Sequence, residues 1–266
     1  MPGRKMDRLS MRQKTRKGRE GAPARPPASG QSYWIWGQHA VLAALGNPDR
    51  LVSRLLLAQG REAAPGLPGL ATRGVAPETV PGERLAALLP ADCVHQGIAA
   101  LVGPMPEVSL AEIAETGASP RRIVVLDQVT DPHNVGAILR SAAAFGALAL
   151  VLQDRHAPPV SGTLAKAASG ATELVPVVRV VNIARALEEL ADYGYLRLGL
   201  ADEAAEDIRL MPRDRDIALV LGAEGPGLRR LTRERCDRLV RLPTQAHMPS
   251  LNVSNAGAAA LFALLP

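Results

Sequence analysis

Hydrophobic positions in the second half of the chain fall into short, nearly unbroken apolar runs separated by stretches with helical spacing. The runs at 123–126, 148–152, 175–181, 196–200, 217–221 and 239–242 are too short for helices and read as buried strands. Helical patterns lie at 134–145, 183–192, near 228–236 and at 252–264, with only a short segment around Ala204 after the fourth run. Apolar runs alternating with helices predict an α/β domain whose mainly parallel sheet is covered on both faces.

The first part is less regular. Tyr33-Trp34-Ile35-Trp36-Gly37 opens the globular pattern, 38–45 has helical spacing, and Asn47-Pro48-Asp49 breaks it. Strands are expected at 52–58 and 98–102, a Gly- and Pro-rich loop at 60–76, and a short helical pattern opening at Gly82. The stretch 103–120 is interrupted by prolines and mixes polar with small residues, although 110–115 still reads as helical. A chain of 266 residues is therefore expected to hold a small α/β domain at 31–103, a linker at 104–120 and a larger domain at 121–266.

Charge changes the picture at the N-terminus. Residues 1–30 carry nine Lys or Arg and two Asp or Glu, a net of +7, so the rest sums to −2 of the formal +5. Such a segment, poor in large apolar residues, is expected to be a disordered basic tail that attracts polyanions such as RNA, or else a solubilising tail. No apolar run approaches the ~18 residues that would span a bilayer, and none follows the basic start as in a secretory signal, so no membrane role and a cytoplasmic setting are expected. Cys93 and Cys236 lie far apart and in no zinc-like pattern with His, which points to free thiols and to no metal.

Three segments carry candidate chemistry. The first runs from Asp127 through Asp131-Pro132-His133-Asn134-Val135-Gly136 to Arg140-Ser141-Ala142. On a helix, Val135, Ile138, Leu139, Ala142 and Phe145 share one arc, and Arg140 falls opposite them beside Gly136, Ala137 and Ala144. A guanidinium among small side chains suits phosphate recognition or the approach of another chain, or is a surface Arg. The second, Leu221-Gly222-Ala223-Glu224-Gly225-Pro226-Gly227-Leu228, runs from a strand into a Gly-rich turn bearing one carboxylate. The third joins Leu242-Pro243-Thr244 to Pro249-Ser250-Leu251-Asn252-Val253-Ser254, where Ser250 is a suitable N-cap and the polar side chains either hold a ligand or only cap the helix. Neither a GxGxxG fingerprint nor a phosphate loop occurs, which disfavours an ordinary nucleotide-dependent enzyme.

Together and in this order, the segments resemble the motifs of the SpoU (TrmH-like) family of RNA ribose 2′-O-methyltransferases. Asn134, Gly136 and Arg140 match its Asn-x-Gly-x-x-x-Arg motif; Gly222, Glu224, Gly225 and Gly227 match the second, and Ser250, Leu251, Asn252 and Val253 the third. More loosely, Gly37-Gln38-His39-Ala40-Val41 and His95-Gln96-Gly97-Ile98 are similar to the ends of the small substrate-binding domain in the branch that modifies large-subunit ribosomal RNA. The resemblance implies a trefoil-knotted SPOUT methyltransferase domain, S-adenosyl-L-methionine as cofactor, and a homodimer whose two subunits build each site. It assigns Asn134, Arg140, Glu224, Ser250 and Asn252 to catalysis, and Gly222, Ala223, Gly225, Gly227, Leu242, Leu251 and Val253 to the cofactor. An Arg is a poor base, so Arg140 is read as positioning phosphate and stabilising the transition state, with Asn134 and Glu224 orienting it. Ala246 departs from the family, where many relatives carry Gly. His95 and His247 are candidate bases, or structural histidines. Transfer RNA is the alternative substrate to 23S ribosomal RNA, and an inactive RNA-binding protein the alternative function.

Overall fold

The structure, a computed structural model, describes residues 32–61, 74–245, 247 and 250–266. The expected basic tail, most of the 60–76 loop and Ala246 lie outside the described residues.

The N-terminal part forms a four-stranded sheet from β1 (Tyr33–Trp36), β2 (Val52–Ala58), β3 (Pro77–Val80) and β4 (Ile98–Val102) in the order β1-β4-β2-β3. β4 runs antiparallel to β1 and β2, and β3 parallel to β2. Helix α1 (Gln38–Gly46) covers one face and the short α2 (Gly82–Ala86) the other. The period-2 geometry of a strand explains the apolar run in β2: Leu55 and Leu57 pack with Val41 and Leu45 of α1, while Leu56 packs with Leu85 of α2. β1 and β3 had no predicted counterpart. Each is four residues long, and β3, with Pro77, Glu78 and Thr79 exposed, has no apolar pattern to read.

The larger sheet has seven strands: β5 (Arg122–Asp127), β6 (Ala149–Gln153), β7 (Val177–Val180), β8 (Leu196–Leu200), β9 (Glu206–Asp207), β10 (Ile217–Gly222) and β11 (Arg238–Arg241). Their order is β7-β6-β5-β10-β8-β11-β9, and every ladder is parallel. Burial on both faces accounts for the unbroken apolar runs. In β5, Val124 and Leu126 join a core with helices α4 (Pro132–Ala144), α5 (Gly162–Ala168) and α8 (Val253–Ala263). Ile123 and Val125 join the opposite core with α3 (Leu110–Ala114) and α6 (Ile183–Asp192), beside α7 (Arg230–Glu234). Leu110, Ile113 and Ala114, from the stretch expected to be linker, are buried in that second core. Helix α5 was not predicted; its sequence Gly-Thr-Leu-Ala-Lys-Ala-Ala is too rich in small residues to show a clear arc.

Strand order reverses direction between β5 and β10, so the crossovers before and after diverge there and leave a crevice at the C-terminal ends of those two strands. The last helix is tied down at its far end: buried Arg122 donates from Nε and Nη2 to the Leu264 carbonyl at 3.1 and 2.8 Å, satisfying a free helix C-terminal oxygen. Its near end therefore has a fixed place over that crevice.

Candidate active site

Three elements end or begin at the crevice. Helix α4 starts where Asp131 accepts a hydrogen bond from the His133 amide at 2.9 Å and Pro132 occupies the first turn. Val135, Ile138, Leu139 and Ala142 are fully buried, and each large side chain among them contributes about 1.5–3 kcal/mol over exposure. Burying that stripe leaves Asn134 facing the end of β10.

Beyond Gly222 the chain folds back on itself, the Gly227 amide donating to the Ala223 carbonyl at 2.9 Å. Gly225 (φ +82°) and Gly227 (φ +67°) hold left-handed conformations that other residues adopt only with strain, and a side chain on Gly222 would strike the Gly227 backbone. This tight turn places Glu224 at its tip. Asn252 then caps α8: its Oδ1 accepts from the Ser254 amide at 2.9 Å. The expectation that Ser250 caps this helix is corrected, because the helix begins at Val253 and Ser250 lies two residues before its cap, exposed.

The same Asn252 joins the segments. Its Nδ2 donates to Glu224 Oε1 at 2.5 Å and to Asn134 Oδ1 at 3.0 Å. Asn134 Nδ2 donates to Glu224 Oε1 at 3.1 Å, and the Val253 amide approaches the same oxygen at 3.4 Å. Residues 118 positions apart thus meet around one carboxylate oxygen, so capping and site-building are both properties of Asn252. Val253 is 7% exposed, and only its backbone faces the cluster.

Register across the parallel strands places the remaining segment. Gly222 pairs with Asp127, Val220 with Gly199, and Gly199 with Leu239, so Leu242 emerges two strands from β10, about 10 Å sideways. At the start of α8, Asn252 brings the chain back to Glu224. Leu242 is half-buried and Leu251 is 40% exposed, so both offer apolar surface, and Gly225 and Gly227 in the turn have open space above them.

Arg140 does not join this cluster within one chain. Six residues along α4 from Asn134, it lies about 9 Å further up the axis and roughly 240° around it. It is exposed and makes no hydrogen bond or ion pair with a described residue. The expected placing of Gly136 beside Arg140 on an open face is corrected. Gly136 is buried where α4 crosses α5, and a side chain there would strike the Leu164 carbonyl and Ala167. Ala137 and Ala144 remain on the accessible side.

His95 lies just before β4 of the small sheet, where its Nδ1 accepts from the Gly97 amide at 3.1 Å, and His247 is exposed. Neither contacts the Glu224 cluster among the described residues. One role escaped sequence reading: Asp127, fully buried at the end of β5, accepts from the Arg229 amide at 2.9 Å and from its Nε at 2.7 Å. This pins the far side of the 222–228 turn, and Arg229 continues to Gln153 Oε1 at 2.9 Å. Its only signal was an acidic residue closing an otherwise apolar strand. No group of three or more His, Cys, Asp or Glu among the described residues is placed to hold a metal, and no helix among them is long and apolar enough to cross a membrane.

Comparison with known proteins agrees with this geometry. Residues 121–262 match the SpoU rRNA Methylase family, and residues 34–108 match RNA 2′-O ribose methyltransferase substrate binding. A 23S rRNA (guanosine-2′-O-)-methyltransferase RlmB of Pseudomonas putida is 40% identical over 86% of this chain and 94% of that relative. The RlmB of Vibrio vulnificus is likewise 40% identical, over 86% and 94%. Among solved structures, the SpoU methyltransferase AviRb from Streptomyces viridochromogenes in complex with AdoMet superposes with a TM-score of 0.73 at 25% identity, covering 88% of this chain and 89% of that one. With both domain models matched in order and Asn134, Glu224 and Asn252 drawn together at the crevice, the chain belongs to the SpoU rRNA methylase family.

Proposed function

We propose that the protein transfers a methyl group from S-adenosyl-L-methionine to the ribose 2′-hydroxyl of a guanosine in 23S ribosomal RNA. The observation that carries this reading is the convergence of Asn134, Glu224 and Asn252 on one oxygen at the divide of a parallel sheet. Relatives named for that reaction, 40% identical over most of their length, support the substrate. The residues present fit the cofactor: open space above Gly225 and Gly227 admits a ligand close to the backbone, and Leu242 and Leu251 offer an apolar wall for a purine and a thioether-like chain. Gly222, Ala223, Gly225 and Gly227 would contact it through the main chain, with Leu242, Leu251 and the backbone of Val253 opposite.

When bound, the sulfonium supplies an electrophilic methyl group, so the protein's share is alignment and electrostatics. Glu224 Oε1 receives Asn134, Asn252 and the Val253 amide, which fixes the carboxylate and leaves Oε2 open among the described residues. Arg140 of the partner subunit meets that oxygen in a homodimer and holds the phosphate beside the reacting ribose. The exposed side chain of Phe262, in a tilted pair with Phe145 at 6.0 Å between centroids, gives the α4 and α8 face apolar surface for that second copy. Ser250, exposed beside Leu251, contacts the ribose. The trefoil knot of this fold explains how α8 returns to the middle of the sheet after the chain has reached β11 near its edge. A ribosomal substrate places the protein in the cytoplasm.

Incubation with labelled donor and 23S rRNA from cells lacking the gene tests the proposal. A single 2′-O-methylguanosine, mapped by mass spectrometry of nuclease fragments, is expected. A methyl group on a base, or transfer only to tRNA, overturns the assignment.

A further inference from the structure

The two sheets do not meet as tethered domains. Ala165 of α5, a helix of the large sheet, is 1% exposed and belongs to the core of the small one, while Leu164 and Ala168 of the same helix belong to the large core. One helix thus walls both cores. Gly162, at its start, lies so close to the Trp36 ring and the Trp34 carbonyl that a side chain would not fit.

A charged lock closes the same junction. Arg50, just after α1, is fully buried, and its partner Glu173, in the single 3-10 turn Ala171–Glu173 that follows α5, has a side chain 2% exposed. Nη2 of Arg50 donates to Glu173 Oε1 at 2.6 Å and Nε donates to Oε2 at 3.0 Å. Asn47 Nδ2 donates to Oε2 at 2.9 Å, and Thr172 Oγ1 to Oε1 at 3.1 Å. The remaining Arg50 Nη1 donates to the Gly103 carbonyl at 2.7 Å and to the Tyr33 hydroxyl at 3.3 Å. A second bond across the junction, on the surface, joins Lys166 Nζ to Gln96 Oε1 at 2.9 Å, the Gln38 amide sharing that oxygen. Two buried charges persist only when each is fully partnered, and deleting one partner would strand the other.

We propose that Arg50 and Glu173 are positioning residues that lock the RNA-binding domain to α5, fixing the distance from RNA held by the small sheet to Arg140 and Asn134 on α4. The mechanical path is short, because α5 packs directly on the backbone of α4 at Gly136 through Ala167 and the Leu164 carbonyl. This rests on the methyltransferase reading above. Target choice then depends on a rigid spacing rather than on a swinging domain.

Spin labels report the spacing directly, without recourse to activity. With both native cysteines replaced by Ser, labels at exposed Gln59→Cys and Asp192→Cys span the junction. A single narrow distance is expected for the parent, and a broad distribution for Glu173→Gln. The paired variant Arg50→Met with Glu173→Met, which leaves no stranded charge, keeps the test readable if Glu173→Gln does not fold. In either folded variant kcat/KM for a folded 23S rRNA domain should fall about tenfold or more while donor affinity stays within about twofold. A broad distribution in the parent, or a narrow one in both variants, overturns the lock. Broadening with unchanged kcat/KM on RNA overturns its positioning role. Because distance is measured without turnover, failure of the lock is distinguishable from failure of the methyltransferase reading.

Discussion

Two carboxylates hold distant segments of this chain together, and they do so in opposite ways. Glu173 is buried, faces a guanidinium, and spends both oxygens on Arg50, Asn47 and Thr172. Glu224 is exposed, is met among the described residues only by neutral amides, and spends one oxygen on all of them. The saturated carboxylate fixes architecture, whereas the half-saturated one keeps an oxygen for the cation proposed to meet it. Arg140 repeats the contrast with Arg50: one cation is consumed inside the fold and the other is exposed without a partner among the described residues.

Breaking each side of this comparison should produce different failures. The largest effect is expected for Arg140→Ala, which should lower kcat by about 1,000-fold while leaving the donor dissociation constant within about twofold, as calorimetry would read. Equal loss of both would place Arg140 at the cofactor instead. Glu173→Gln should cost about 3 kcal/mol of stability, a fall in Tm of roughly 6–12 °C, because it leaves a buried guanidinium short of its counter-charge. An unchanged melting curve would contradict the saturated reading. Glu224→Gln keeps an acceptor for Asn134 and Asn252 yet cannot attract a cation, so kcat should fall about 10- to 100-fold with little change in Tm. Asp127→Asn loosens the Arg229 side of the turn and should weaken donor binding about tenfold, the smaller cost of a displaced rather than deleted contact. Smallest is the behaviour of Cys236: burial pushes its thiol pKa up to about 12, with Arg197 only partly opposing, so it stays protonated at pH 8. Iodoacetamide should leave it unlabelled in the native protein by mass spectrometry, and rapid labelling would show that the thiol is not desolvated.

Much of the fold was legible because a parallel sheet covered on both faces writes itself as uninterrupted apolar runs. β2, β4, β8 and α6 match their predicted bounds, and the other long strands and helices differ by only a few residues at their ends. What stayed hidden has physical reasons. β9 is two residues long, and β3 exposes three of its four. Helix α5 serves two cores at once, so its small residues form no single stripe. Asn134, Glu224 and Asn252 were legible as motif positions, and hydrogen bonds draw the three together. That Asn252 rather than Ser250 caps α8 was not, since either polar residue can serve and only the bend of the chain decides. Nor was the packing of Gly136, because a glycine needed for helix crossing looks in sequence like one needed for access. The Arg50–Glu173 lock joins residues 123 positions apart and left no local signature.

The central claim is that each site combines Glu224 of one chain with Arg140 of another. It is tested most directly by co-expressing Arg140→Ala and Glu224→Ala chains under two different tags and purifying only the mixed dimer through both. Each variant alone should be inactive, and the mixed dimer should recover about half the activity of the parent, since one of its two sites is then intact. A mixed dimer as inactive as its parents, with donor still bound, would contradict the claim and place Arg140 and Glu224 in the same chain's site.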